Sequence, residues 1–377
     1  MTTYLCMICE GELSDLVDNF IKLFFGYSSQ KISVKVILVR ESTMTVAQPE
    51  WVEALKRPAA YLLKSPEKIK LLETTTSYLF RAGDWFYKIK KMGNEYPTLA
   101  VKEAFCREEC ALSQRFNPNW SVEVLPVTEH NGVIKFGGTG GTTIEYALKM
   151  EALPDQWQLA QMLDKNKITT NNMVGIATKI ADIHAMSPAK DKEAETGKPE
   201  PFRAQCGDLL FQLKRYFEAS LTQPILDMIR HPLEKFIDDN KRLFTKRIRN
   251  GRIVLGHGAF LPEHIFLNGD VVRFISPQEI HKKLVVLDVA NDVSSLTVEL
   301  TRLGKTELLD SFVKQYIEIS KDKDLLKMLP VYQTYCALKQ GVKTCELKVA
   351  QKDESLGALA MDYFNLAVRF SREIPRN

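Results

Sequence analysis

The sequence has no apolar run near the roughly 18 residues that a membrane-spanning helix needs, so no membrane span is expected. It has no basic amino-terminal segment leading into a long apolar core, so no export signal is expected. It has no surplus of one charge. Lys and Arg number 51 against 47 Asp and Glu, a formal net charge of +4. A dense basic stripe with interleaved aromatics is also missing, which argues against a nucleic-acid partner. The most basic stretch, Lys241–Arg249, reads as the solvated face of a helix. Cysteine is scarce and odd in number, seven in 377 residues. Without an export signal, that count implies free thiols in a reducing, cytoplasmic compartment.

Two chemical motifs are incomplete. Cys6-x-x-Cys9 lacks the further ligands a zinc site requires. Cys106 and Cys110, one helical turn apart, are not brought to it by anything in the sequence, so both pairs read as small buried hydrophobes. The glycines at 137–141 are not followed by Lys-Ser/Thr at the start of a helix, as a phosphate-binding loop demands. Thr142-Thr143-Ile144-Glu145-Tyr146 follows instead and looks like a strand, so the glycines read as a hairpin turn.

What is present is an ordinary globular composition, 45% hydrophobic and 26% charged. Residues 1–45 read as strand, helix, strand, with apolar runs at 4–9 and 34–39 around an amphipathic helix. Residues 71–91 read as two strands joined at Arg81-Ala82-Gly83-Asp84. A helix carrying Val101, Ala104, Phe105 and Leu112 follows and ends near Asn117-Pro118. Two more strands flank Asn131-Gly132. After residue 150 helical periods dominate, interrupted at 253–289 by short strands, and 188–201 reads as a polar loop. The expectation is an α+β chain with a small α/β extension at 1–45, a β-rich lobe at 46–149 and a helical lobe at 150–377.

Lys88 and Lys90 share one face of a strand. A strand lysine alone is usually solvated. Paired with Glu108 or Glu109 of the next helix, it would match the phosphate-clamping arrangement of kinase-like small lobes. His257-Gly258 follows the apolar run Ile253-Val254-Leu255 and leads to a strand, the turn Asn268-Gly269-Asp270 and another strand. That is the layout of a kinase-like catalytic loop, although His257 taken alone reads as a packed or capping histidine.

With these stretches together, residues 52–346 resemble the aminoglycoside phosphotransferase-like kinases, in particular a bacterial subgroup of kinase-like proteins. The matching segments include Glu73-Thr74-Thr75-Thr76-Ser77, Ala82-Gly83-Asp84-Trp85-Phe86-Tyr87-Lys88-Ile89-Lys90-Lys91 and Cys106-Arg107-Glu108-Glu109. Further matches are Glu145-Tyr146-Ala147-Leu148-Lys149-Met150, Ile183-His184-Ala185 and Leu287-Asp288-Val289-Ala290-Asn291-Asp292-Val293. The resemblance implies a two-lobed protein-kinase-like fold with nucleotide between the lobes. It implies Lys88, with Lys90 as rival, as the phosphate clamp and Glu109 as its partner. It implies residues 74–77, with Thr75 and Ser77, as the hairpin over the phosphates, and Tyr146 and Ala147 as the adenine-binding hinge.

The departures from the family pattern decide the expected function. Active members carry His-Gly-Asp and, five residues later, Asn. Here the positions read His257, Gly258, Ala259 and His264. The metal-bridging aspartate is replaced by Ile275 or Ser276. The expectation is therefore a pseudokinase with no catalytic residues and no metal site. It would act as a binding or regulatory scaffold, with at most weak, metal-independent ATP or GTP binding, through a protein partner or homodimer contact made by residues 1–45. Two alternatives stand beside it. One is an active phosphotransferase or nucleotidyl-chemistry enzyme rerouted through Glu263, His264, Asp270 or Glu279. The other is a structural subunit with a collapsed cleft.

Overall fold

The computed structural model describes residues 48–61, 68–73, 77–91, 97–216, 223–275 and 286–376. The chain divides after Pro49, and almost everything described lies in the unit Glu50–Asn377. The expected extension at 1–45, Cys6 and Cys9, Thr75, Ser276 and Glu279 lie outside the described residues.

The small lobe is a curled antiparallel sheet with one long helix. Helix α1 (Glu50–Leu55) precedes strands β1 (Ile69–Glu73), β2 (Ser77–Ala82) and β3 (Trp85–Lys90). Gly83 turns the β2–β3 hairpin at φ +58°. Helix α2 (Leu99–Phe116) starts where Thr98 accepts a hydrogen bond from the Val101 N–H and ends at Asn117, just before Pro118. Strands β4 (Val122–His130) and β5 (Val133–Phe136) join through Asn131 and Gly132, both at positive φ as a tight two-residue hairpin needs. Strand β6 (Thr142–Glu151) returns through the centre, giving the order β1-β2-β3-β6-β4-β5.

Alternation along these strands divides their residues between two faces. Phe80, Tyr87, Ile89 and Ala147 pack with Val52, Leu55 and Tyr61 on one side. Phe86, Lys88 and Lys90 alternate with Tyr87 and Ile89 and so belong to the other face.

The large lobe is mostly helical. Helices α3 (Leu159–Asp164) and α4 (Thr170–Ala185) open it, followed by α5 (Asp191–Ala194), α6 (Pro199–Leu213), α7 (Gln223–Asp239) and α8 (Lys241–Arg249). Strands β7 (Ile253–Leu255), β8 (Ile265–Asn268), β9 (Val271–Phe274) and β10 (Val286–Asp288) follow. Helices α9 (Val289–Arg302), α10 (Thr306–Ser320), α11 (Leu325–Gln351) and α12 (Leu356–Glu373) complete it. Strands β7 and β10 pair with each other, as do β8 and β9. The large core runs from Leu112 and Phe116 of α2 through α4, α9 and α11 to α12.

The segment at 188–201 is not the loop that its polarity suggests. It folds into α5, a 3₁₀ turn at Glu195–Gly197 and the Pro199 start of α6. Gly197 lies so close to Ile253 that a Cβ there would come within 2.4 Å of it. The stretch is packed through its backbone, which hydropathy does not register.

Candidate functional site

On the small-lobe side, Lys88 is not a solvated lysine. It is buried at 5% exposure, and its Nζ donates to Glu109 Oε1 at 2.6 Å. A second buried pair has the opposite polarity: Lys102 of α2 donates to Glu145 of β6 at 2.5 Å. Two lysine–glutamate rivets therefore hold α2 to the sheet. Burial pushes the Glu145 carboxyl up, against the lowering influence of Lys102. Lys90 is also buried, with its Nζ 5.0 Å from the Phe105 ring centre. Ser77 is buried opposite Lys90 in the β2–β3 register.

Tyr146 and Ala147 are not in the hinge. Ala147 pairs with Ile89 on one side and Leu125 on the other, and Tyr146 pairs with Pro126. Strand β6 continues to Glu151, so the crossover between lobes falls at 152–154, where Leu153-Pro154 ends the extended run.

On the large-lobe side, the loop after β7 is anchored by one carboxylate. Asp292, in the first turn of α9 and fully buried, accepts the N–H groups of His257 and Gly258 at 2.7 Å each. Gly258 has φ +77°, and a Cβ on Gly256 would come within 2.4 Å of Asp292 Oδ2, so this approach needs both glycines. His184 of α4 donates from Nε2 to Asp292 at 3.1 Å, and its Nδ1 meets the Tyr316 hydroxyl at 2.8 Å. Burial alone would raise the Asp292 carboxyl. The His184 bond and the backbone N–H donors outweigh it and leave the group below its usual range.

His257 is a packed histidine that also holds the neighbouring strand end. Its ring stacks on Phe260 at 4.5 Å, and its Nε2–H donates to the Ile275 carbonyl at 2.7 Å. Burial pushes its pKa down to about 4. The Ile275 N–H donates to the His264 carbonyl at 3.0 Å. His264 Nδ1 lies 2.8 Å from the Ala259 carbonyl. A carbonyl only accepts, so Nδ1 carries the proton and Nε2 keeps its lone pair. Burial, with Lys343 and Lys88 nearby, pushes the His264 pKa down despite the Ala259 bond and Glu263.

The donor set does not fit Mg²⁺, which takes oxygen ligands. Ala259 offers a methyl group, His264 a nitrogen, and Ile275 an aliphatic chain that packs against the cluster of Trp120, Leu148 and Phe266. Among the described residues, no group of three His, Cys, Asp or Glu side chains could hold a metal ion. Asp270 lies beyond the far end of the β8–β9 hairpin. Asn268 pairs with Val271 there, while Ile265 and Phe274 pair at the end nearest the loop. Three residue steps along the strand, about 10 Å, separate the two ends.

Two features escape sequence reading. The basic stretch of α8 is mostly solvated, but Arg247 is buried between Asp288, at 2.6 Å through two nitrogens, and Asp322, at 2.9 and 3.0 Å. Asp288 also caps α9 through the Ala290 N–H. The anchoring role of Asp292 is equally hidden, because a carboxylate binding backbone N–H groups leaves no paired cation in the sequence. The available signal was Asp288 directly between an apolar run and a helical one, a capping position.

No protein-family model matches the chain. Uncharacterised proteins of Mycobacterium tuberculosis (strain H37Rv) and Mycobacterium bovis are 24% identical to it over 281 residues, 74% of this chain. The chain spans 55% of the length of these curated relatives. Among solved structures, a GDP complex of a mutant aminoglycoside 2'-phosphotransferase-IIIa aligns with TM-score 0.50 and 12% identity, covering 85% of this chain and 97% of that one. A choline/ethanolamine kinase family protein from Mesorhizobium loti aligns with TM-score 0.47 and 16% identity, covering 85% and 98%. With its six-stranded small lobe, helical large lobe and loop between β7 and β8, the chain has the two-lobed fold of the aminoglycoside phosphotransferase-like kinases.

Proposed function

We propose that this protein is a catalytically inactive, kinase-shaped binding or regulatory scaffold. The observation that supports this reading is a loop between β7 and β8 whose backbone is firmly anchored but which carries no carboxylate at 259 and no aspartate at 275. Asp292 and His257 fix the loop backbone and the strand end beside it. The side chains held in those places are Ala259, His264 and Ile275. Phosphoryl transfer needs a carboxylate to orient or deprotonate the acceptor and metal ions to neutralise the phosphates. A methyl group accepts no proton, and an aliphatic chain binds no Mg²⁺.

Lys88 and Glu109 keep the form of a phosphate clamp, so weak, metal-independent binding of ATP or GTP is part of the proposal. Ligand stabilisation grows with the logarithm of concentration over Kd. Millimolar ATP is expected to shift the melting temperature little, and by the same amount with Mg²⁺ as with EDTA. A large shift that requires Mg²⁺ would overturn the reading.

A further inference from the structure

Beneath Lys88 the two lobes meet across an apolar seam. In the β3–β6 register Leu148 stands opposite Lys88 and Met150 opposite Phe86. These two side chains form one cluster with Trp120, with Leu153 of the crossover, and with Phe266 and Ile275 of the large lobe. The polar backbone around the cluster is also tied across the seam. Asn117, which ends α2, donates from Nδ2 to the Phe274 carbonyl at 2.6 Å and accepts the Phe274 N–H at 2.9 Å. Just past the crossover, Gln158 forms a β-bridge with Phe266 and donates to the Glu263 carbonyl at 3.0 Å, which fastens the end of the crossover to the large-lobe side of the cluster.

We propose that this seam is a weld: the lobes are held closed by apolar packing and backbone hydrogen bonds, and nucleotide does not control their closure. The proposal rests on the reading above that Ile275 stands at a lost metal-binding position, and it gives that replacement a use. An aspartate at 275 would put a charge into this apolar cluster, where it would need a cation. Isoleucine instead extends the cluster. The hydrophobic effect then does between the lobes what it does inside a core, and parting them becomes a local unfolding event instead of a hinge motion.

Hydrogen exchange on the full chain tests this, read on peptides covering 152–158 and 265–275. Exchange in the unmodified protein is expected to be the same with and without millimolar Mg²⁺·ATP. Phe266→Ala and Ile275→Ala are each expected to speed exchange in both peptides by about tenfold or more, with peptides in Leu325–Gln351 unchanged. If either variant loosens the whole protein, Ile275→Val is expected to move the seam peptides in the same direction by less. Slowing of seam exchange by nucleotide would overturn the weld, and so would seam exchange unmoved by all three substitutions. Phosphotransfer activity in a protein with a nucleotide-insensitive seam would overturn the inactive reading alone.

Discussion

At the scale of single residues, the buried charges carry the sharpest expectations. Arg247 binds two buried carboxylates, so Arg247→Met removes the cation and leaves Asp288 and Asp322 facing each other. Breaking a buried pair from one side costs about 3–5 kcal/mol. A urea melt should show at least that loss, with an unchanged m-value. His257 gives a pH dependence. Its folded pKa, about 4, lies below the 6.5 of the unfolded chain, so the unfolded state binds more protons between these values. The neutral ring's full contribution to stability is present above pH 6.5 and is lost as pH falls toward 4, up to about 3 kcal/mol. His264 is shifted in the same direction and adds to the slope. Stability measured from pH 7.5 to 4.5 should therefore decline, and His257→Gln should flatten the decline by about one proton's worth.

At the scale of elements, Asn117 is the clearest test of how α2 is joined to the large lobe. Asn117→Ala leaves both backbone groups of Phe274 without their partner. A loss of about 2 kcal/mol is expected, from unsatisfied buried polar groups, with faster hydrogen exchange at Phe274 than in β6. The same element shows what could be read in advance. Thr98, the apolar stripe and Pro118 define α2 from the sequence, and Asn131-Gly132 defines the β4–β5 hairpin, because these signals are local. Strand β6 runs on through Tyr146 and Ala147 because 142–151 carries no turn residue; only Leu153-Pro154 marks the stop. Lys88 with Glu109 was legible as strand followed by helix, but their burial was not, since burial depends on α2 closing over the sheet. The Asp292 anchor and the Arg247 clamp join residues 34 to 75 positions apart. No period or local motif encodes such a pairing.

At the scale of the whole molecule, the small and large lobes share one compact unit that begins at Glu50. Residues 1–45 stand outside the family resemblance. We propose that they contribute to a protein–protein interface, a homodimer contact or a partner site. Deletion of 1–45 is expected to abolish a dimer or a co-purifying partner while leaving the remaining body folded, as read by solution mass and melting. An unchanged monomeric mass, with no partner lost, would contradict this. The central claim is that a complete kinase-type scaffold here holds no kinase chemistry, and phosphotransfer from radiolabelled ATP and GTP, with Mg²⁺ or Mn²⁺ and small hydroxyl and amine acceptors, tests it most directly. The account predicts label transfer and nucleotide hydrolysis no greater than those of a Lys88→Ala variant; turnover that is present in the unmodified protein and abolished by Lys88→Ala would contradict it.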